Sequence, residues 1–147
     1  MMDTKKILSD DEKNLLAGIH TLVVDDNPVN RMILVKLLTK LGAESDVAED
    51  GQKAVEKYLN APVDTYDVIL MDLQMPVMNG YEATRAIRAS AHPFAQTVPI
   101  IAVSANAFVD DVRNALDAGM NVHVAKPIIF EQFKKILLKE LGISYAL

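Results

Sequence analysis

A chain of 147 residues is about one domain long, and with 50% hydrophobic and 24% charged residues it falls among ordinary folded proteins, away from disordered or fibrous classes. It has no cysteine, which excludes disulfides and thiolate metal sites and makes a reducing cytoplasm the default location. A net charge of -5, with no basic cluster longer than Lys5-Lys6 or Lys134-Lys135, lacks the footprint of a nucleic-acid binder; no apolar run is long enough to span a membrane, and the expected partner is a protein.

Residues 1–19 are the least patterned. Ser9 with Glu12 three residues on has the form of a capping box, but apolar positions 7, 8, 15, 16 and 19 do not continue a helical stripe, so the segment reads as a linker or loosely docked extension. From His20 the pattern is regular. Thr21-Leu22-Val23-Val24 suits a strand buried on both faces and stops at Asp25-Asp26-Asn27-Pro28. Pro28 suits a first helical turn, and Val29, Met32, Ile33, Leu37, Leu38 and Leu41 recur at helical spacing before the stop at Gly42. Residues 43–48 form a weaker, more polar candidate strand, and residues 51–59, with Ala54, Val55 and Tyr58, a second helix.

The apolar run from Asp67 to Met71 predicts a strand that closes on Asp72. Pro76 and Asn79-Gly80 are turn chemistry, and residues 81–89 read as a third helix. A strand over 98–103 ends at Ser104, with Pro99 near its start because proline cannot donate to a central ladder. Val109, Val112 and Leu116 mark a helix over 107–118 closed by Gly119, residues 122–124 form a short strand, and Lys126-Pro127 breaks it. Ile129, Phe133, Ile136, Leu137 and Leu141 trace a last amphipathic helix, before a tail at 142–147.

Strands alternating with helices of about ten residues predict an α/β protein with a doubly wound parallel sheet. The three apolar strands should be central and the runs 43–48 and 122–124 at the edges, which gives the order 2-1-3-4-5. In such a sheet the strand ends share one edge, so Asp25, Asp26, Asp72, Ser104 and Lys126 converge in a cleft where open α/β sheets bind ligands. Taken alone, the acids and the hydroxyl are helix caps and the lysine a solvated charge; the register of all of them is what points to a site. Three carboxylates against one ammonium demand a cation or a proton, and an all-oxygen donor set favours Mg2+. Beside such an ion a carboxylate can attack a phosphoryl group to give an aspartyl phosphate.

Four motifs, Val-Val-Asp-Asp-Asn-Pro-Val-Asn at 23–30, Met-Asp-Leu-Gln-Met-Pro-Val-Met-Asn-Gly at 71–80, Val-Ser-Ala-Asn-Ala at 103–107 and Ala-Lys-Pro-Ile at 125–128, make residues 20–141 resemble the receiver domain of two-component response regulators, most of all the receivers of hybrid histidine kinases. The resemblance implies the flavodoxin-like (CheY-like) fold with five helices, and a regulatory phosphoacceptor in place of an enzyme with its own substrate. It implies that Asp72 takes phosphate from a phosphohistidine on a histidine kinase or histidine phosphotransfer protein. Asp26 and Asp72 would bind Mg2+ directly, Asp25 through water, and Gln74 through its backbone carbonyl. Lys126 and Ser104 would contact the phosphoryl oxygens, Lys126-Pro127 would be a cis peptide, and Gln74 and Asn106 would occupy positions that tune hydrolysis. Ser104 and residue 123 would act as the switch, and the 107–141 face would meet a downstream protein partner. Position 123 departs from the family's usual Tyr or Phe: it is His123, which reads equally as a switch residue or as a half-exposed edge-strand residue.

Two other classes share some of these groups. A Mg2+-dependent phosphohydrolase with an aspartyl-phosphate intermediate needs a second acid two residues after the nucleophile, where this chain has Gln74. A flavin mononucleotide carrier would need hydroxyls and amides after the first strand, where this chain offers Asp25-Asp26. A receiver that is never phosphorylated is disfavoured because all five expected side chains are present. Only six residues follow Leu141, which leaves a stand-alone receiver or the receiver portion of a larger kinase.

Overall fold

The computed structural model describes residues 13–105 and 108–143. Five strands, β1 (His20–Val24), β2 (Glu44–Ala48), β3 (Val68–Asp72), β4 (Ile100–Ser104) and β5 (Val122–Ala125), alternate among the described residues with five helices, α1 (Pro28–Lys40), α2 (Gly51–Asn60), α3 (Gly80–Ala89), α4 (Val109–Ala118) and α5 (Phe130–Glu140). The strands pair in parallel in the order β2-β1-β3-β4-β5, the flavodoxin-like order expected from the apolar runs.

Strand periodicity divides the core in two. Leu22, Val24, Ile69, Met71, Ile100 and Ala102 face one side and pack with Ala54 and Tyr58 of α2, Ala83 and Ile87 of α3 and Ala115 of α4. Val23, Val68, Leu70, Ile101, Val103 and Val124 face the other, against Leu34 and Leu38 of α1 and Phe133, Leu137 and Leu138 of α5. Fully burying an aliphatic side chain is worth about 1.5–3 kcal/mol, so the uniformly buried β3 and β4 carry much of the sheet's stabilisation while the polar β2 can lie at an edge.

Helix starts are capped locally. Asn27 accepts from the Val29 and Asn30 N–H groups at α1, Asp50 from that of Lys53 at α2, and Asn79 forms a reciprocal box with Glu82 at α3. Gly119, with φ of 110°, closes α4 in the left-handed conformation that favours glycine.

The structure corrects three readings of the sequence. Residues 13–19 are not loosely docked: Leu16 is completely buried, its N–H donates to the Leu41 carbonyl at 2.7 Å, and the Ile19 carbonyl accepts from Glu44 N–H. Gly42 permits this approach, since a Cβ there would stand 2.6 Å from the Lys13 carbonyl oxygen. The Ser9–Glu12 capping box lies outside the described residues. On α1 the buried stripe is Leu34, Leu38 and Leu41, whereas Val29, Met32 and Ile33 are exposed; the helix is apolar on more than one side, and spacing alone does not say which side meets the sheet. Finally, β4 starts at Ile100, so Pro99 precedes the strand and only its carbonyl joins the ladder, accepting from Ile69 N–H at 2.9 Å.

Candidate functional site

The register pairs Val24 with Met71, Asp72 with Val103 and Ser104 with Ala125. The residues that follow β1, close β3 and β4 and follow β5 therefore share the carboxyl edge of the sheet. Carboxylate oxygens of Asp25, Asp26 and Asp72 lie within 4.8 Å of one another, the one acidic group among the described residues close enough to hold a metal ion. Neither Asp25 nor Asp26 caps α1, because Asn27 does so.

Asp25 is buried, and each of its carboxylate oxygens takes a hydrogen bond. Its Oδ1 accepts from Asn27 N–H at 2.9 Å and its Oδ2 from Lys126 Nζ at 2.8 Å, while Arg31 Nη1 donates to its backbone carbonyl at 2.7 Å. Asp26 is exposed. Asp72 is only 7% exposed, and its Oδ1 receives a long bond of 3.4 Å from Gln74 N–H. Lys126 Nζ stands 3.9 Å from Asp72 Oδ2, so the single ammonium leans toward Asp25. Burial, and next the charge of Asp25, push the Asp72 carboxyl up to about 6 against the pull of Lys126 and the Gln74 N–H, with Asp26 adding a smaller upward push.

The turn after Asp72 is built for close approach. A Cβ at Gly80 would stand 2.1 Å from the Asp72 carbonyl oxygen, and one at Gly51 would stand 2.3 Å from that of Met78. Gly80 N–H donates to Leu73 and Gly51 N–H to Met78, tying the turn to α3 and α2. Val77 at its tip has φ of 69°, a left-handed conformation that is costly for a β-branched residue. On the far side, the Lys126–Pro127 peptide is cis.

Ser104 Oγ lies 2.8 Å from His123 Nε2. Asp72, Gln74, Ser104, Asp111 and Lys126 line a cleft of about 160 Å3. Asp111, in the first turn of α4, and Arg31 were missed by sequence reasoning; the signal for Asp111 was an acid early in the helix that follows the Ser104 strand. Phe108, the residue before α4, makes no side-chain cap. Asn106 lies outside the described residues.

The donor set fits a hard divalent cation. It supplies carboxylate oxygens, with neither His nor Cys, and a formal excess of negative charge over the lysine.

A doubly wound parallel sheet whose carboxyl edge joins three acids to one lysine defines an α/β protein with a charged cleft at its strand ends. More narrowly, the chain belongs to the response regulator receiver domain family, whose description matches residues 21–138, and it is a receiver domain of phosphorelay signalling. It is 42% identical over 133 residues to probable histidine kinase 2 of rice, covering 82% of this chain and 13% of the kinase. It is 40% identical over 130 residues to hybrid signal transduction histidine kinase L of Dictyostelium discoideum, covering 88% of this chain and 8% of that protein. The chain thus spans about an eighth or less of these relatives' lengths. Among solved structures it resembles the receiver domain of the sensor histidine kinase PA1611 of Pseudomonas aeruginosa, which has a magnesium ion coordinated in its active-site cleft (TM-score 0.77, 42% identity, 86% of this chain and 99% of that one). It also resembles the Saccharomyces cerevisiae complex of the histidine phosphotransfer protein Ypd1 with the receiver domain of Ssk1 (TM-score 0.72, 30% identity, 84% and 89% covered).

Proposed function

We propose that Asp72 accepts a phosphoryl group from a phosphohistidine in a Mg2+-dependent reaction, and that the aspartyl phosphate changes the affinity of this receiver domain for a protein partner. The observation that carries the proposal is the uneven charge of the cleft: three carboxylates share one lysine, and the best placed for attack, Asp72, is the less neutralised of the two buried ones. Asp26, Asp72, the Gln74 carbonyl and, through water, Asp25 would hold the ion. Once bound, it supplies positive charge for the carboxylates and the phosphoryl oxygens.

An Asp72 carboxylate oxygen forms the new bond to phosphorus while the bond to the donor nitrogen breaks. Lys126 neutralises the equatorial oxygens and the Ser104 hydroxyl donates to one of them. Uptake and later hydrolysis are catalysed by the domain itself, with Gln74 and Asn106 placed to tune the second step, and its role is regulatory. The reading takes residues 20–141 as the receiver unit, on which 13–19 pack, and places it in the cytoplasm, in keeping with a chain that has no cysteine.

The donor is a histidine kinase or histidine phosphotransfer protein. Exposed Val29, Met32 and Ile33 on α1, beside a groove that runs from Ile33 to Lys126, Pro127 and Ile128, suit its docking, and the solved Ypd1–Ssk1 receiver complex lends the reading support. The downstream partner binds the 107–141 face, where Phe108, Val109, Leu116 and Ile129 are exposed. His123 and Ser104 form the switch. Acetyl phosphate labelling with and without Mg2+ tests the assignment on wild type and Asp72→Asn. Mg2+-dependent label confined to wild type is expected; label on both proteins or on neither would overturn it.

A further inference from the structure

Arg31 is the fourth residue of α1, and its side chain reaches back past the helix start to the loop that carries Asp25 and Asp26. Helical side chains lean toward the amino end, and the bond from Arg31 N–H to the Asn27 carbonyl at 3.1 Å closes the first turn beneath it. Nη1 donates to the Asp25 backbone carbonyl at 2.7 Å, short as expected of a charged donor. The positive end of the helix dipole offers a cation no stabilisation there, so what holds the guanidinium lies in the loop. The carbonyl it grips belongs to the peptide joining Asp25 to Asp26. On the other side of Asp26, Asn27 N–H donates to Asp25 Oδ1 at 2.9 Å, a turn closed by an aspartate side chain around the residue between. Asp25 is itself anchored, through its N–H on the Ala48 carbonyl at 3.2 Å and through Lys126 on Oδ2. Both peptide planes flanking Asp26 are therefore pinned. The Asp26 carboxylate is exposed and, among the described residues, takes no hydrogen bond of its own, so the backbone sets the direction in which it leaves the loop.

We infer that Arg31 is a positioning residue for the divalent-cation site: by holding the Asp25 carbonyl it fixes the peptide from which Asp26 projects, and so keeps the Asp26 carboxylate beside Asp72 in advance of the ion. The inference rests on the Mg2+-binding reading of the acidic cleft. Oxygens of Asp25, Asp26 and Asp72 lie within 4.8 Å of one another. Like charges held that close repel, and a loop free to rotate at Asp26 would relieve the repulsion by swinging this exposed acid into solvent. Arg31 opposes the swing. A guanidinium that acted only through its charge would do the reverse for the ion, since a cation beside the carboxylates competes with Mg2+.

The test is Mg2+ binding with no phosphodonor present, followed by backbone amide NMR shifts during titration with MgCl2 at constant ionic strength, in wild type, Arg31→Met and Arg31→Lys. Order parameters of the same amides are measured on the metal-free proteins. Arg31 is half-exposed and Met is a good helix former, so the Met variant is expected to fold. Arg31→Met should raise the Mg2+ dissociation constant about tenfold, the lower end of the loss typical when a group that orients a metal ligand is removed. The Asp26 and Asn27 amides should lose order in that variant while the Asp72 amide keeps it. Only one N–H of Arg31 meets the carbonyl, so Arg31→Lys, which keeps a charged donor, should recover most of the affinity. An Arg31 that only braces the fold would lower the urea midpoint of Arg31→Met and leave the dissociation constant at the wild-type value. That result, tighter binding in Arg31→Met, weaker binding with Asp26 and Asn27 as ordered as before, or a Lys variant no better than Met overturns the inference. Wild type that binds no Mg2+ overturns the reading of the cleft along with it, whereas wild-type binding untouched by Arg31→Met overturns this inference alone.

Discussion

Replacing Asp72 by Asn should stabilise the metal-free protein at neutral and alkaline pH and leave it nearly unchanged in acid. The Asp72 carboxyl is raised from 3.8 to about 6, with burial the largest cause, and only 9% of the side chain is exposed, so solvent screens little of the effect. Each tenfold change in proton affinity is worth about 1.4 kcal/mol, which puts the penalty at about 3 kcal/mol. Its sign follows from proton counting. Below pH of about 4 the carboxyl is protonated in both states and contributes nothing. Between about 4 and 6 the folded protein keeps a proton that the unfolded chain has released, so stability falls as pH rises. Above about 6 the folded protein holds a buried carboxylate at the full penalty. Asn has nearly the same shape and no charge, so the penalty disappears. Urea unfolding followed by circular dichroism should show the Asn variant gaining on wild type by about 3 kcal/mol between pH about 4 and about 8. Mg2+ at about a hundred times its dissociation constant would stabilise wild type by about 2.7 kcal/mol, closing most of the gap. A difference that stays flat with pH, or a variant that loses ground in alkali, would refute the reasoning.

Two further outcomes test the fold around the site. Leu16→Ala removes a fully buried side chain from the α1 and α5 side of the core and should cost about 2–5 kcal/mol in urea unfolding; a change below about half a kcal/mol would mean that residues 13–19 do not dock. Val77, 80% exposed with φ of 69°, should be stabilising when changed to Asn, which tolerates the left-handed region, by about 1 kcal/mol. The acetyl phosphate labelling rate should stay at the wild-type value in that variant, and a fall in stability would show that the valine side chain makes contacts worth more than the strain.

The sheet was legible because its signals are local. Val68 to Met71 is an unbroken apolar run, and a strand covered on both faces buries every residue of one; the polar run at 44–48 goes to an edge for the same reason. The α1 helix was harder. Val29 and Ile33 share helical spacing with Leu37, yet only the fold reveals that the stripe turned to the sheet runs through Leu34 and Leu38. Leu16 was hidden for a different reason: its burial depends on Gly42, 26 positions away, opening a path for the Lys13 carbonyl.

At the cleft, which side chains converge was legible and how they pair was not. Strand ends predicted that Asp25, Asp26, Asp72, Ser104 and Lys126 meet, because a parallel sheet brings equivalent ends to one edge. The sequence carries no sign that Lys126 would sit at 2.8 Å from Asp25 and 3.9 Å from Asp72, a difference set by backbone geometry across about a hundred residues. That asymmetry bears on how a cation would be held. With Asp25 taking one bond from Asn27 N–H and another from Lys126, direct coordination there would compete with bonds already made. Asp26 is exposed, and Asp72 has only the 3.4 Å bond from Gln74 N–H. The arrangement therefore favours direct coordination by Asp26 and Asp72 with Asp25 acting through water. It also leaves the Asp72 carboxylate under-compensated in the absence of a cation.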